Sequence, residues 1–358
     1  MPFCRSTRAP ASVAGLLLAL SLAGCGGGGS SSANAAKSGA GIPAAAGEPV
    51  RLLHVSYDPT RELWKAVNVA FAADYLKENG VEVEIQQSHG GASPQTRAVI
   101  DGLDADVVSL PLPTDTQAIA NAGLIKEGWE ERLPNHSLPY TSTIVFVVRK
   151  GNPKQIKDWP DLVQDKIEII TPNPKTSGNG KLSFLAAWGS ALKRGGSAED
   201  AKRFVTEIYK RVPVLESGAR AATVTFAKKE IGDVHLTWES EAFLEIDEAK
   251  GELELVVPSV SILAEPRVAV VDANVDRHGT RGVAEDYLKF FYTPAAQKII
   301  AEHYYRPIDT EVLAQFPDRF AAVDLFTVRD VAESWEDADK RFFADNAVFD
   351  GIYSSVAR

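Results

Sequence analysis

The chain has 358 residues, 45% of them hydrophobic, with 38 Lys and Arg against 48 Asp and Glu, which gives a net charge of −10 at pH 7. Nucleic-acid binding requires a basic face that this acidic composition does not supply, so we expect no nucleic-acid partner. The negative charge also provides no long-range attraction for a small anion, so an anion site in this chain would have to act through local geometry.

The first residues, MPFCRSTRAPASVAGLLLALSLAGC, predict a secretory signal. Arg5 and Arg8 precede an apolar run over 11–23 that is too short for a permanent bilayer-spanning helix. The run ends in LAGC, which resembles the lipobox of bacterial lipoproteins. This resemblance implies a lipoprotein signal peptide over 1–24 and a lipid on Cys25, which would attach the chain to a membrane. Ordinary signal cleavage at a small-residue site is the alternative.

Residues 25–48 predict a flexible tether, because they are rich in Gly, Ser and Ala and offer little to bury. Cys4 leaves with the signal, so the mature chain keeps Cys25 alone and forms no internal disulfide. Loss of the two signal arginines lowers the net charge from −10 to −12. No later stretch reaches transmembrane length, and the rest of the sequence is long enough for two ordinary domains.

Strands and helices alternate through the first part of the body. Asp58 suits a helix N-cap and Pro59 the first helical position. The predicted elements are a strand over 50–56, a helix from Pro59 to about Gly80, a strand over 81–85, a helix opened by Pro94 and a strand over 106–110. This alternation indicates an α/β fold with a largely parallel sheet.

The alternation returns in the second part. Strands are predicted over 166–170, 212–215 and 232–237, each followed by a helix, and the first of these helices covers 181–193. Two β-rich runs, over 143–148 and 267–271, are interpreted as crossings between two lobes. The tail from Gly282 is predicted to be helical.

We therefore divide the body into three parts. The first part of lobe 1 covers 49–142, and the first crossing strand with lobe 2 covers 143–265. The return crossing strand and a C-terminal helical part cover 266–358, and we expect this last part to pack at least partly on lobe 1.

Four strand-to-helix turns are built from small residues or Pro. They are Tyr57-Asp58-Pro59, Gly90-Gly91-Ala92-Ser93-Pro94, Thr176-Ser177-Gly178-Asn179-Gly180 and Ser217-Gly218-Ala219. A helix N-terminus leaves backbone N–H groups unpaired and carries a partial positive charge, and small residues let a ligand approach it. Several such turns facing one cleft would bind an anion without a cationic side chain. Ordinary capped α/β turns are the alternative.

Trp238 also follows a strand and begins a helix. Its indole N–H only donates, which suits an anion that has no proton of its own to give. A core tryptophan is the alternative.

Other kinds of site fit the sequence poorly. A nucleotide-phosphate loop would need Gly at position 175 and Ser or Thr at 182, which are Lys175 and Leu182, so Lys181 is interpreted as a solvated residue of the first helical turn. The six histidines show no metal-ligand spacing, and no G-x-S-x-G elbow occurs. We expect no metal, no cofactor and no catalytic residue, and interpret Asp58 and His89 as capping or orienting groups.

Several segments in order, from about residue 50 to about 345, carry a family resemblance. They are LLHVSYDPTREL, QSHGG, PYTSTIVFVVRKGNPKQIKDW, ITPNPKTSG with FLAAWG, ESGAR, IGDVHLTWESEA, SILAEP and YRP. The chain resembles the periplasmic sulfate-binding proteins that supply ATP-driven sulfate and thiosulfate importers. The resemblance implies a type II solute-binding fold, in which two α/β lobes joined by two crossing strands close over one dehydrated sulfate.

The resemblance also implies donors at seven positions. They are the backbone N–H groups of Asp58, Ala92, Gly178, Asn179 and Ala219, the hydroxyl of Ser177 and the indole N–H of Trp238. The family often has Ser at the position of Ala92 and Gly at that of Asn179. Both donors are backbone groups, and Asn tolerates left-handed backbone better than most residues, so we expect both contacts to persist. The Asp58 carboxylate is predicted to cap its own helix and to point away from the ion.

The sequence therefore predicts a periplasmic binding protein that is not an enzyme. It would capture sulfate, close by a hinge and, as a monomer, pass the ion to the membrane permease subunits of an ABC importer. A donor-only site favours sulfate over hydrogen phosphate, whose proton would be buried unpaired. Thiosulfate is the nearest alternative ligand, followed by molybdate or tungstate. Other classes are an ester hydrolase with Ser177 as nucleophile, or a structural lipoprotein.

Overall fold

The computed structural model describes residues 48–356. The predicted signal peptide over 1–24, the lipidation site Cys25 and nearly all of the tether over 25–48 lie outside the described residues. Within 48–356, no helix is both long enough and apolar enough to cross a bilayer.

The described residues alternate strands and helices from the start. The strands are β1 (Val50–Tyr57), β2 (Val83–Gly90), β3 (Val107–Leu110), β4 (Tyr140–Thr141), β5 (Ile144–Arg149), β6 (Ile169–Pro172), β7 (Leu215–Glu216), β8 (Val234–Trp238), β9 (Leu253–Val256), β10 (Val260–Ile262), β11 (Arg267–Val270), β12 (Arg306–Pro307) and β13 (Asp324–Phe326). The helices are α1 (Arg61–Asn79), α2 (Ala92–Ile100), α3 (Pro113–Asn121), α4 (Pro134–Ser137), α5 (Gly178–Lys193), α6 (Ala198–Tyr209), α7 (Ala219–Thr223), α8 (Glu239–Glu248), α9 (Asp272–His278), α10 (Arg281–Phe290), α11 (Pro294–Glu302), α12 (Thr310–Leu313), α13 (Trp335–Ala338) and α14 (Val348–Val356).

Lobe 1 is built on a four-stranded sheet with the order β11-β3-β1-β2. β1 runs parallel to β2 and β3, and β11 runs antiparallel to β3. All four residues of β3 are buried, as expected for a central strand covered on both faces. The carboxyl ends of β1, β2 and β3 therefore meet at one edge of the sheet, where the following helices begin.

Lobe 2 has a five-stranded sheet with the order β7-β6-β8-β5-β9. β6 is parallel to β7 and β8, whereas β5 is antiparallel to β8 and β9. The carboxyl ends of β6, β7 and β8 share an edge, as in lobe 1. Each lobe thus presents one edge that carries helix N-termini.

The two crossings between the lobes run side by side. The β-rich runs predicted as crossings are themselves sheet strands, since β5 belongs to lobe 2 and β11 to lobe 1. The connecting residues lie just before them, where Ser142 and Ala264 exchange two backbone hydrogen bonds of 3.1 and 2.9 Å. These paired segments connect the two lobes and lie at the position of the predicted hinge.

The C-terminal part is divided between the lobes. Tyr287, Phe290 and Phe291 of the α10 region are buried in the core of lobe 1. Beyond β12 the chain passes between the lobes again, because β13 pairs with β10 and Phe326 joins the core of lobe 2. Phe342 then packs on Phe184 of α5, with ring centroids 5.6 Å apart.

Candidate anion-binding site

One small cavity between the facing edges of the two lobes collects every predicted site residue. It leaves about 10 Å³ for the centre of a water-sized sphere, which is room for about one small molecule and far below the roughly 300–1,000 Å³ of sites for drug-sized molecules. It is lined by Asp58, Ala92, Ser177, Gly178, Asn179, Ala219 and Trp238, together with Tyr57, Pro59, Gly90, Gly91 and Pro111. The geometry suits a small ion.

Asp58 opens the helical path that leaves β1. It is the first residue of a 3₁₀ turn (Asp58–Thr60) that continues into α1, and the extended Tyr57 is the N-cap. The prediction that the Asp58 carboxylate caps its own helix is wrong, because the side chain accepts from the Arg61 guanidinium at 3.1 Å and from no amide of the turn. Asp58 occupies the first helical position and not the N-cap position, so its carboxylate is not placed to cap the turn, whereas Arg61 lies one turn further along and within its reach.

Ala92 begins α2 after a single connecting residue. The predicted strand over 81–85 extends further and the turn over 90–94 is shorter in the structure, because β2 continues to Gly90 and α2 starts two residues before Pro94. Pro94 fits inside the first turn, where its missing N–H would have had no intrahelical partner. The Ala92 side chain is buried, and its N–H is among the first unpaired donors of the helix.

Ser177, Gly178 and Asn179 form the start of the 16-residue helix α5. Ser177 is the N-cap, and its hydroxyl oxygen accepts from the Gly180 N–H at 3.4 Å, which leaves the hydroxyl hydrogen free to donate. The Gly178 and Asn179 amides occupy the first two helical positions, where the helix dipole favours negative charge.

Asn179 lies in right-handed helix, so left-handed backbone is not needed here. Its side chain is buried and accepts from the Ser183 hydroxyl at 3.1 Å, while its amide donates to the Leu236 carbonyl at 3.5 Å. Lys181 is not solvated as predicted: its ammonium group meets Asp339 at 2.7 Å and its side chain is only 12% exposed.

Ala219 and Trp238 complete the lobe 2 side. Ala219 starts the short helix α7 behind the extended Gly218. Trp238 ends β8 as the N-cap of α8, is 1% exposed and lies 5.4 Å from the Tyr57 ring. The indole nitrogens of Trp64, Trp129 and Trp159 donate to protein acceptors. Among the described residues, the indole nitrogen of Trp238 makes no hydrogen bond, and those of Trp188 and Trp335 also lack a partner but lie outside the cavity lining.

The cavity is electrically unusual for an anion site. Its lining contains no Lys, Arg or His, and its charged member, Asp58, is paired with Arg61. Burial raises the pKa of the Tyr57 hydroxyl far above its ordinary value, with the neighbouring Tyr140 adding to the rise, so Tyr57 stays neutral. No cluster of metal-ligating side chains occurs among residues 48–356. Attraction for an anion must come from N–H and O–H donors.

The lobes touch around the cavity. The Ser93 hydroxyl donates to the Lys175 carbonyl at 3.4 Å, and Arg220 of lobe 2 meets Glu62 of α1 at 3.3 Å. A Cβ placed on Gly91 would lie 3.0 Å from the Thr176 carbonyl oxygen of the other lobe. The structure is therefore a closed form.

Sequence reasoning missed Tyr57 and Pro111. Pro111 stands in a fifth strand-to-helix turn, Leu110-Pro111-Leu112-Pro113, at the end of β3. The two prolines directly after a strand were a usable signal. Tyr57 belongs to one of the four predicted turns, but its side chain was not assigned to the site. His89, interpreted as a capping or orienting group, makes no hydrogen bond through either ring nitrogen, and burial followed by the charge of Arg61 lowers its pKa to about 4.

Comparison with known families decides what kind of protein this is. Residues 62–306 match the model of the family described as bacterial extracellular solute-binding protein. The chain belongs to the bacterial extracellular solute-binding proteins. Its fold is the two-lobed type II form of that family. A structure of a ferric binding protein from Campylobacter jejuni shares this fold at 17% identity, with a TM-score of 0.58.

Several relatives of this solute-binding protein are named for the ligand that they bind. It is 49% identical to a thiosulfate-binding protein of Pseudomonas aeruginosa over 88% of this chain and 96% of the relative. It is 50% identical to a sulfate-binding protein of Escherichia coli over 85% of this chain and 93% of the relative. The sulfate-binding protein SubI from Mycobacterium tuberculosis H37Rv shares its structure with a TM-score of 0.75, 31% identity and coverage of 82% and 99%.

Proposed function

We propose that this solute-binding protein captures sulfate outside the cytoplasm and delivers it to an ABC importer. The observation that carries the proposal is the closed cavity, whose lining presents unpaired N–H and O–H donors and no cationic side chain. The ligands named for its relatives, sulfate and thiosulfate, support it.

Selectivity follows from the donors. Sulfate at neutral pH carries no proton, so a lining of donors satisfies its oxygens. Hydrogen phosphate carries a proton that needs an acceptor, and leaving that proton buried and unpaired costs about 1–3 kcal/mol. Asp58 is the one carboxylate in the cavity lining, and its Oδ1 accepts from the Arg61 guanidinium.

Thiosulfate is the second candidate, favoured by the 49% identity to a thiosulfate-binding protein. Its terminal sulfur is larger than oxygen and accepts hydrogen bonds less well. Molybdate and tungstate would require a larger ring of donors.

Titration calorimetry with sulfate, thiosulfate, molybdate and phosphate on one sample at pH 8 tests the proposal. We expect sulfate to bind at least about tenfold more tightly than phosphate, the factor that one unpaired buried proton implies. Equal affinities for sulfate and phosphate would contradict the donor-only site, and tighter binding of thiosulfate would replace the assigned ligand.

The role assigned here involves no catalysis. Ser177 is the one hydroxyl nucleophile among the seven predicted residues, and its oxygen already accepts from the Gly180 amide. Hydrolysis of sulfate or phosphate esters by the purified protein, abolished by Ser177→Ala, would overturn the assignment.

We further propose attachment to the cell envelope through a lipid on Cys25 and action as a monomer. Mass spectrometry of the mature N-terminus should find acylated Cys25, and Cys25→Ala should release the protein from the membrane fraction. Analytical ultracentrifugation of the protein without its lipid anchor should give the mass of a single chain. Sulfate uptake in cells lacking their own sulfate-binding proteins, restored by this chain, would test delivery to the importer.

A further inference from the structure

The segment Tyr304–Arg306 lies beside the hinge. It follows α11 and enters β12, which pairs with β4 directly ahead of the crossing at Ser142. Tyr304 has a left-handed backbone with φ of +64°, which is uncommon for a residue other than Gly. The chain turns sharply here, and successive side chains reach different parts of the molecule.

Tyr305 contacts the lobe 1 side of the anion site. Its hydroxyl donates to the Pro59 carbonyl at 2.8 Å, and Pro59 directly follows Asp58. The Tyr305 ring is 1% exposed and packs edge-on against Tyr140 at 4.8 Å, and the Tyr140 hydroxyl meets that of Tyr57 at 3.2 Å. Tyr305 therefore supports both chain neighbours of Asp58.

Arg306 contacts the lobe 2 side of the site. Its Nε and Nη2 donate to the two carboxylate oxygens of Glu239, both at 2.7 Å. Glu239 is 1% exposed, directly follows Trp238, and donates its backbone N–H to the Thr143 carbonyl at 3.0 Å. A two-pronged guanidinium–carboxylate pair fixes orientation as well as distance. Glu239, the residue next to the Trp238 donor, is thus held by Arg306 on the lobe 1 side and by Thr143 beside the hinge.

Tyr304 adds two further contacts to α8, the helix that begins at Glu239. Its ring stacks on Phe243 with centroids 4.5 Å apart and planes 13° apart, and its hydroxyl donates to Asp247 at 3.0 Å. Three consecutive side chains of this segment therefore contact the residue next to a predicted anion donor or the helix that follows it. A surface loop packed for stability alone would not have to contact the chain neighbours of both donors.

We infer that Tyr305 and Arg306 are positioning residues that set the Asp58 amide of lobe 1 and the Trp238 indole of lobe 2 in register with one anion. The inference rests on the proposed function. A dehydrated ion needs its donors held to within about half an ångström, which requires support from behind the donors. The segment supplies this support for one donor in each lobe.

The test measures sulfate affinity by titration calorimetry for the full folded body and its variants. Arg306→Gln should weaken sulfate binding about tenfold and Tyr305→Phe about threefold, the scale of a charged and a neutral hydrogen bond. In a Trp238→Phe background, Arg306→Gln should weaken binding by less than about twofold, since Arg306 acts through Trp238. The matched control is Arg97→Gln, an exposed arginine paired with Asp101 on the outside of lobe 1.

Folding is checked by the thermal midpoint without sulfate. Arg306→Lys keeps the positive charge but cannot form the two-pronged pair with Glu239. This variant should therefore fold and still bind sulfate several-fold more weakly than the wild type. Tyr305→Phe removes one oxygen and gives an independent reading if Arg306→Gln does not fold. The positioning role alone would be overturned if the wild type binds sulfate and Arg306→Lys and Tyr305→Phe bind it as tightly as Arg97→Gln does. It would also be overturned if the losses of affinity from Arg306→Gln and Trp238→Phe are additive. Absence of sulfate binding by the unsubstituted protein would instead overturn the proposed function.

Discussion

Gly178 of lobe 2 lies directly against Pro111 of lobe 1. A Cβ placed on Gly178 would be 2.6 Å from Pro111 Cγ and 2.9 Å from its Cβ, closer than such atoms approach in folded proteins. The contact joins the lobes at the rim of the cavity, so the missing side chain of Gly178 is a condition for closure. An open form would accept the extra methyl group.

Gly178→Ala should therefore weaken sulfate binding at least about tenfold, the effect expected when the binding-competent closed form falls to a tenth of the molecules. Stability without sulfate should change little. Calorimetry and solution scattering, with and without sulfate, measure affinity and closure. Gly282→Ala is the matched control, because a Cβ at this helical glycine meets nothing within 4 Å. Full affinity in Gly178→Ala would show that the two lobes need not approach this closely.

Trp238→Phe keeps an aromatic ring beside Tyr57 and removes one donor. We expect the binding free energy for sulfate to become less favourable by about 1–3 kcal/mol, the range for a hydrogen bond to a charged partner. Trp129→Phe, which removes a donor to Gln117 in lobe 1, should leave the affinity unchanged. An unchanged dissociation constant in Trp238→Phe would remove the indole from the site.

Asn179→Ala separates the backbone donor of this residue from its side chain. The side chain bonds Ser183 and Leu236 and not the cavity, so sulfate affinity should stay within about twofold while the free energy of unfolding drops by about 1–3 kcal/mol from unpaired buried partners. Urea unfolding and calorimetry on the same variant measure both quantities. A large loss of affinity at unchanged stability would mean that the amide side chain itself binds the ion.

Glu241 should make stability depend on pH. Burial raises the pKa of its carboxyl to about 7, and the charge of Arg220 opposes this rise. The remaining charged or titratable neighbours that act on it are Glu62, Glu245 and His235. Because the folded pKa lies above the unfolded value of 4.5, the folded state holds more protons between these pH values.

The contribution of Glu241 to stability is therefore complete below pH 4.5 and is lost as the pH rises through about 7, a loss of about 3 kcal/mol. Urea unfolding of the wild type and of Glu241→Gln across pH 4.5–8 measures this loss. The free energy of unfolding of the wild type should fall by about 3 kcal/mol more than that of Glu241→Gln over this pH range. Glu333→Gln, at an exposed position, should follow the wild type. Parallel curves for wild type and Glu241→Gln would mean that the carboxyl titrates at its ordinary pH.

The fold class and the gathering of the site could be predicted because both depend on local pattern. Strand-to-helix turns carry small residues for close approach, and parallel strands bring such turns to one edge, so the positions of Ser177 and Ala219 follow from sequence and topology. The family resemblance then assigned the individual donors, among them the indole N–H of Trp238 and the backbone N–H of Asn179.

What escaped prediction depends on contacts of individual side chains. The Asp58 carboxylate is directed by Arg61 and not by its place before Pro59, and Lys181 is buried by a partner 158 positions away, Asp339. The role of Pro111 emerges only when lobe 2 is placed against it. The partner of Lys181 in particular leaves no periodic or compositional trace in the sequence.

The return of the chain end to lobe 2 has a consequence for the order of folding. Phe326, Phe342 and Phe349 complete a core that also contains Tyr57 and Leu112 of lobe 1 and whose lobe 2 members begin at Ile144. A growing chain therefore exposes the apolar face of α5 until its last thirty or so residues are made. The final packing of lobe 2 therefore has to wait for residues that follow β12 in the chain, whereas the core of lobe 1 contains none of these three phenylalanines.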